Sequence, residues 1–365
     1  MSRRIQFCGM LAMVYLTLGL SQALAALLLY EPFDYPTGDF LSATTIGTEN
    51  STTRPIGYLA PNNNNWYGTG IAAGLGGYQS VNDSPITNND LTVSGLAKPN
   101  STRALSMGGT GYTYRLSLNQ SIGLPNQTAT NLTDTPDPLA GTDPTLQATD
   151  TAGTGYYSLA FRVTDITGLN AQGGVLAGFN NLINAQVGNP ATVGAGLTIR
   201  PKAGGNPGEF ELGVVKQAAS GFTSATWDSN THTTDTTIFV VGKYQTVGAQ
   251  GNPSPAEQND MASLWINPSS ASFGGFDPAG ALTNTANNDI PTNLASNFHT
   301  LQSFLLRQTG TTVNNQVPAG IIYDELRVGT NYADVTPVVP EPSTLVLVVG
   351  LSAMLAGYRR SLSRG

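Results

Sequence analysis

Tyr156-Tyr157-Ser158-Leu159-Ala160-Phe161-Arg162-Val163 alternates strictly: Tyr157, Leu159, Phe161 and Val163 fall on one side of an extended chain, and Tyr156, Ser158, Ala160 and Arg162 on the other. Side chains of a strand repeat every two residues, so the run predicts a half-buried strand. The same period recurs outward from it. Phe210, Leu212 and Val214 alternate with Glu209, Glu211 and Gly213, while Thr237 to Tyr244 contains the continuous apolar run Ile238-Phe239-Val240-Val241 expected of a central strand. Leu264-Trp265-Ile266, Leu301 to Leu306 and Ile321 to Val328 add three more. Helical three-four spacing is almost absent between residues 27 and 337, apart from short possibilities near Gly178 to Ala185. With Gly- and Pro-rich breaks between the runs, the expectation is an all-β chain folded as an antiparallel β-sandwich with loops at both ends.

Composition agrees with that reading and narrows the function. Among 365 residues there are 42 Gly and 22 Pro, and only 11% are charged, which suits short strands joined by many turns. The length corresponds to about two average domains or one large all-β domain. Net charge is −7, and the four lysines, Lys98, Lys202, Lys216 and Lys243, are scattered. No basic surface is available to neutralise phosphates, which argues against nucleic acid as a partner.

The two ends read as targeting devices. Arg3 and Arg4 precede an apolar run from Phe7 to Leu20, followed by Ser21-Gln22-Ala23-Leu24-Ala25. This is the pattern of a secretory signal peptide, residues 1–25, cut by signal peptidase after Ala25. Cys8, the only cysteine, lies inside it, so the exported body carries no disulfide and depends on its core. At the other end, Pro340-Glu341-Pro342 is followed by the apolar stretch Leu345 to Gly357 and then by Arg359, Arg360 and Arg364. A helix over about 344–358 is marginal for crossing a bilayer, and the arginines behind it would stay cytoplasmic, leaving the large body outside. Arg3, Arg4, Arg359, Arg360, Arg364 and Glu341 all lie in these end segments. Residues 26–337 therefore keep 11 of the 16 bases and 22 of the 23 acids, and carry about −11.

In its order of Pro-Glu-Pro motif, short apolar helix and basic cluster, the segment 338–365 resembles the PEP-CTERM sorting signal of Gram-negative, exopolysaccharide-producing bacteria. The resemblance implies that an exosortase, a membrane-embedded cysteine protease, recognises the motif and processes the tail. The protein would be tethered to the inner membrane in transit and end at the cell surface or in the extracellular matrix.

A second resemblance covers residues 26–337. Leu27-Leu28-Leu29-Tyr30-Glu31-Pro32-Phe33-Asp34-Tyr35 and Gly320-Ile321-Ile322-Tyr323-Asp324-Glu325-Leu326-Arg327-Val328-Gly329 look like the first and last strands of concanavalin A-like, laminin-G-type jelly rolls. Trp66-Tyr67-Gly68-Thr69-Gly70, Phe239 to Tyr244 and Ser263 to Pro268 are similar to further stretches of that group. The resemblance implies one jelly-roll domain whose terminal strands lie side by side, and says almost nothing about activity.

Counting by two along the last strand puts Ile322, Asp324, Leu326 and Val328 on one face, with Glu325 and Arg327 on the other, so Asp324 is expected among apolar neighbours. A carboxylate there needs amide donors or a cation; a strand-end role satisfied by loop amides is the expectation, with metal ligand and catalytic acid as alternatives. Glycan hydrolysis requires two carboxylates flanking a sugar, and glucanases similar to this fold carry Glu-x-Asp-x-Glu on one strand. That pattern does not occur; Glu209-Phe210-Glu211 supplies two acids on one face, expected in solvent. His232 and His299 have no nucleophile motif beside them and are expected at the surface or an edge. Trp265 alternates within its strand and is expected in the core. Asp134, Asp137, Asp143 and Asp150, in the unpatterned stretch Gln120 to Gly155, could supply oxygen ligands to Ca2+, but lack the spacing of a defined calcium loop.

Sugar binding needs only an aromatic plate with amides around it. Asn64 and Asn65 beside Trp66 and Tyr67 offer this in an expected loop, although similar sandwich proteins often pack a Trp at this point against the fold, which is the alternative reading of Trp66. The leading expectation is thus an exported surface or matrix protein, not an enzyme, that binds exopolysaccharide. A polysaccharide hydrolase or lyase of the same fold and a purely structural, self-associating matrix protein are the alternatives.

Overall fold

The computed structural model describes residues 27–34, 37, 67–69, 85–98, 103–107, 113–122, 153–180, 193–217, 224–245, 260–286, 301–307 and 317–339. Within them the regular secondary structure is nearly all strand. The order is β1 (Leu27–Glu31), β2 (Tyr67–Thr69), β3 (Ile86–Thr87), β4 (Ala104–Met107), β5 (Thr113–Ile122), β6 (Thr154–Asp165), β7 (Gly174–Asn180) and β8 (Gly194–Pro201). It continues with β9 (Glu209–Gln217), β10 (Thr226–Trp227), β11 (His232–Thr233), β12 (Thr237–Gln245), β13 (Met261–Ile266), β14 (Leu282–Asn284), β15 (Leu301–Leu306) and β16 (Gly320–Gly329). One four-residue helix, α1 (Tyr332–Val335), follows, capped reciprocally by Asn331 and Asp334.

These strands form two antiparallel eight-stranded sheets. The first runs β14-β13-β12-β6-β16-β4-β3, with β1 also paired to β16; the second runs β10-β9-β8-β7-β15-β5-β2, with β11 also paired to β9. The first strand of the body therefore lies beside the last, Tyr30 opposite Arg327 and Glu31 opposite Leu326. Gly178 to Asn180, considered for a helix, belongs to β7: Phe179 enters the core and pairs with Phe304 of β15. All six runs expected as strands are strands.

The two sheets face each other across one continuous core. Tyr157 and Phe161 from β6, Phe179 from β7, Leu197 from β8, Phe210 and Leu212 from β9 and Phe304 from β15 all enter it. Tyr157 lies edge-on to Phe179 at 5.6 Å, and its hydroxyl crosses the layer to donate to the Ala195 carbonyl at 2.9 Å. Opposite Tyr157, Gly242 of β12 leaves the room the ring occupies; a Cβ there would overlap the phenol.

The other face of β6 is not half-exposed. Tyr156 and Ala160, with Phe239, Val241, Trp265 and Ile322 from neighbouring strands, form a second buried cluster closed by Leu91, Leu96, Phe273, Tyr332 and Val335. Period two identified both faces correctly. What it could not show is that the chain folds a loop and α1 back over the outer one. Trp265 is buried in this outer cluster, edge-on to Tyr332 at 5.5 Å, with its indole N–H donating to the Pro278 carbonyl.

Candidate functional site

The densest group of ionisable side chains lies where the last strand, the first strand and the loop 90–98 meet. Its geometry follows from a bulge. Between Asp324 and Arg327 the pairing of β16 with β6 shifts by one, and Glu325 takes a left-handed φ of 55°. A bulge adds one residue to a strand and turns everything beyond it over. Ile321, Tyr323, Leu326 and Val328 consequently face the inner core, whereas Ile322 joins the outer cluster and Asp324 pairs with Ala160 of that cluster. The face expected to hold Ile322, Asp324, Leu326 and Val328 together is therefore split at Glu325.

Asp324 and Glu325 are fully buried and Arg327 is 2% exposed. Asp324 Oδ2 accepts from the Leu91 N–H at 3.0 Å and Oδ1 from the Glu325 N–H at 2.8 Å, which is the loop-amide arrangement expected for it. Lys98 Nζ stands 3.6 Å from Asp324 and is paired with Asp90. Glu325 accepts from Arg327 at 2.5 Å and from the Tyr30 hydroxyl at 3.1 and 3.2 Å. The Arg327 guanidinium lies 4.5 Å over the Tyr30 ring and donates to the Ala97 carbonyl at 2.7 Å. Its Nη1 is buried without a hydrogen-bond partner.

Desolvation dominates these groups. Burial, and then the Glu325 charge, hold the Asp324 carboxyl well above its ordinary range. Burial likewise raises Glu325, opposed by the Arg327 and Lys98 charges. Lys98 is raised: burial pushes it down, and the Asp90 hydrogen bond with the Asp324 and Glu325 charges more than reverses this. The Tyr30 phenol is pushed far up by burial and by Glu325. The arrangement fastens three pieces of chain around two sealed carboxyl groups. The same loop grips the end of the body, for Ala97 N–H donates to Pro337 O at 2.8 Å and Leu96 bridges Val338.

A second charged group lies on the outer face of the second sheet. Glu211, expected in solvent, is buried beneath Arg200 and Lys202. Arg200 Nε and Nη2 reach one carboxylate oxygen at 2.7 and 2.6 Å, and Lys202 Nζ reaches the other at 2.6 Å. The guanidinium also lies 4.2 Å over the Trp227 ring. Although burial opposes it, the Lys202 and Arg200 hydrogen bonds hold Glu211 below its ordinary value. Glu209 bonds Asn206 instead, so the two acids have separate partners. His232 sits on the edge strand β11, 3.2 Å from Asp228 and tilted against Phe210. Burial also opposes the lowering of Asp228, which the Asn230 and His232 bonds produce. Sequence reasoning missed Arg200, Lys202 and Lys98 as partners. No signal for the first two was present in either segment alone, because Arg200 meets Glu211 only through the cross-strand register of β8 and β9.

The expected sugar plate is only touched by the structure. Tyr67 begins β2 and pairs with Arg115, so its backbone is strand and not loop. Asn64, Asn65 and Trp66 lie outside the described residues, as do Asp134, Asp137, Asp143, Asp150, His299, the signal peptide 1–25, Pro340, Glu341, Pro342, Arg359, Arg360 and Arg364. Among the described residues, no cluster of His, Cys, Asp and Glu is arranged to hold a metal ion, and no helix is long and apolar enough to cross a membrane.

No protein-family model matches the chain, and no curated protein matches it. Solved structures with similar strand arrangements include an endo-β-1,4-glucuronan lyase from Trichoderma reesei, 14% identical, with a TM-score of 0.31 over 74% of this chain and 97% of that one. A Trypanosoma rangeli sialidase is 10% identical, with a TM-score of 0.32 over 70% of this chain and 28% of the sialidase. The binding domain of botulinum neurotoxin serotype D is 10% identical, with a TM-score of 0.29 over 70% of this chain and 45% of that one. The chain thus spans less than half the length of the latter two.

Proposed function

We propose that this is an exported, non-catalytic component of the surface or extracellular matrix of a Gram-negative bacterium, built on a concanavalin A-like jelly roll. Signal peptidase removes residues 1–25, and an exosortase processes the tail at Pro340-Glu341-Pro342. The body then binds exopolysaccharide through Trp66, Tyr67, Asn64 and Asn65. The pairing of β1 with β16 supports the jelly-roll reading, because terminal strands lie side by side in that fold.

One observation carries the non-catalytic reading. The conspicuous carboxylates of the last strand are sealed from solvent and bonded to Leu91, Tyr30 and Arg327, at the place where the loop 90–98 grips Pro337 and Val338. A general acid or nucleophile must touch substrate, whereas a fastening at the root of a tether need not. The sorting reading is tested by Glu341→Ala in the native host. Accumulation in the inner membrane is the expected result, and release equal to the parent sinks it. For the ligand, the full chain in detergent is applied to a glycan array with and without Ca2+, alongside Trp66→Ala. Retention of acidic or neutral exopolysaccharide by the parent and its loss in the variant are expected. Equal binding by both rejects the aromatic plate, and product formation on the array establishes a hydrolase or lyase.

A further inference from the structure

Three large apolar side chains stand in solvent among the described residues: Phe276 at 96%, Val339 at 54% and Val338 at 47%. Val338 and Val339 are consecutive, and the loop that carries Phe276 starts beside Val338. A Cβ on Gly274 would lie 3.3 Å from Val338 Cγ1, and the Gly274 N–H donates to Thr336 O at 2.7 Å. Phe276 is two residues farther on, within about 7 Å along the chain. The loop is held: Phe273 is buried in the outer cluster, while Asp277 accepts from the Tyr156 hydroxyl and from Lys243, each at 2.9 Å. Phe276 projects from between these two attachments, and the carboxylate next to it is neutralised.

The chain beside the patch is fixed too. Val338 bridges Leu96, and Val339 N–H donates to Gly95 O at 3.3 Å. From Val339, six residues lead to Leu345, where the apolar stretch of the tail begins. Six extended residues reach at most about 20 Å, against a headgroup layer of roughly 5–8 Å on each side of the hydrocarbon. Once Leu345 is at the hydrocarbon boundary, the linker keeps the surface around Val338 within about 20 Å of it.

We infer that Phe276, Val338 and Val339 form a lipid-interface contact that rests in the headgroup layer while the tail is inserted. The inference depends on the proposed insertion of that tail. One ring and two half-exposed valines are far too little for a stable interface between proteins, which needs about 1,000 Å² or more. For a tethered body, proximity is supplied by the linker, and a small apolar contact suffices. Because Lys243 and Asp277 neutralise each other, no charge adjoining Phe276 draws the contact towards anionic lipid.

The test uses the full chain reconstituted through its tail into phosphatidylcholine vesicles, with and without bromine on the acyl chains. In Phe276→Trp, brominated lipid is expected to quench the added indole above the background of the parent's Trp66, Trp227 and Trp265, equally at low and high salt. Adding Val338→Ser and Val339→Ser weakens the contact equilibrium by about tenfold and reduces the quenching accordingly. A chain that floats with the vesicles while the added indole stays unquenched and open to iodide overturns the inference and leaves the tail reading intact. If Phe276→Ser also blocks tail processing in cells under that outcome, the patch belongs to the protease. A chain that does not float at all removes the tail reading and the contact with it.

Discussion

Two carboxylate groups of this molecule are buried in opposite ways. On β16, Asp324 and Glu325 lie in the strand interior beneath the loop 90–98, and burial raises both. On β9, Glu211 lies at the face of its sheet under two cations, Arg200 on the neighbouring β8 and Lys202 just past its end, and it is lowered. The difference is one of solvent and of donors. Glu211 collects Arg200 and Lys202 for itself, with both cations still part-exposed, so the ionised form gains more than desolvation removes. Asp324 and Glu325 are adjacent, buried carboxyl groups that share the charge of Lys98, while Arg327 bonds only Glu325 of the two. Burial there does not signify a strong ion pair; it signifies a junction whose members depend on one another.

The largest effect comes from breaking that junction. Arg327→Met leaves Glu325 buried with only the Tyr30 hydroxyl and deprives the Ala97 carbonyl of its donor. Denaturant unfolding should show a loss of about 3–5 kcal/mol. Glu325→Leu combined with Arg327→Met should recover part of this, because no charge is then left unpaired. A double variant no more stable than the single one contradicts the account.

The pH response sharpens the contrast. For Asp324 and Glu325 the folded value lies above the unfolded one, so between the two values the folded state binds more protons. Stability from this region is present below the ordinary carboxylate range and is lost as pH rises through the raised values. For Glu211 and Asp228 the folded value lies below. Their contribution is present above the ordinary range and is lost as pH falls through the lowered values. Asp324→Asn should therefore flatten the stability profile on its rising-pH side and leave the acid limb in place. Thermal melts across that range check this, and an unchanged profile on the rising side excludes Asp324 as its source.

How much of this was legible in the sequence differs between the two regions for a physical reason. All six runs are strands, because the alternation or continuous apolar character that marks each is written into the segment by itself. The inner face of β6 was readable for the same cause. The face of Asp324 was not, since counting by two assumes an uninterrupted pleat and the bulge residue is Glu325, not the glycine that usually marks a left-handed position. The burial of Glu211 was invisible in β9 alone: it comes from Arg200 and Lys202, which only cross-strand register brings alongside. Likewise the outer face of β6 is covered by residues about 70 to 180 positions away in the chain, among them Leu91, Tyr332 and Val335.

The smallest effects belong to the exposed partners of Glu211, and they decide whether the contrast is correct. Glu211→Gln keeps shape and one acceptor while removing the charge, so it should cost about 1 kcal/mol and abolish the Glu211 share of the acid limb. Lys202→Ala should cost less, about 0.5 kcal/mol, because Arg200 continues to hold the carboxylate through two nitrogens and the lost lysine is part-exposed and screened by salt. The cost should also shrink when salt is raised, which a pair of melts at low and high ionic strength measures. The β16 junction, closed to ions, should show no such salt dependence in Arg327→Met. If Lys202→Ala proves as damaging as Arg327→Met, or as insensitive to salt, then Glu211 is held by the same shared, desolvated arrangement as Asp324 and Glu325, and the separation drawn from their opposite shifts fails.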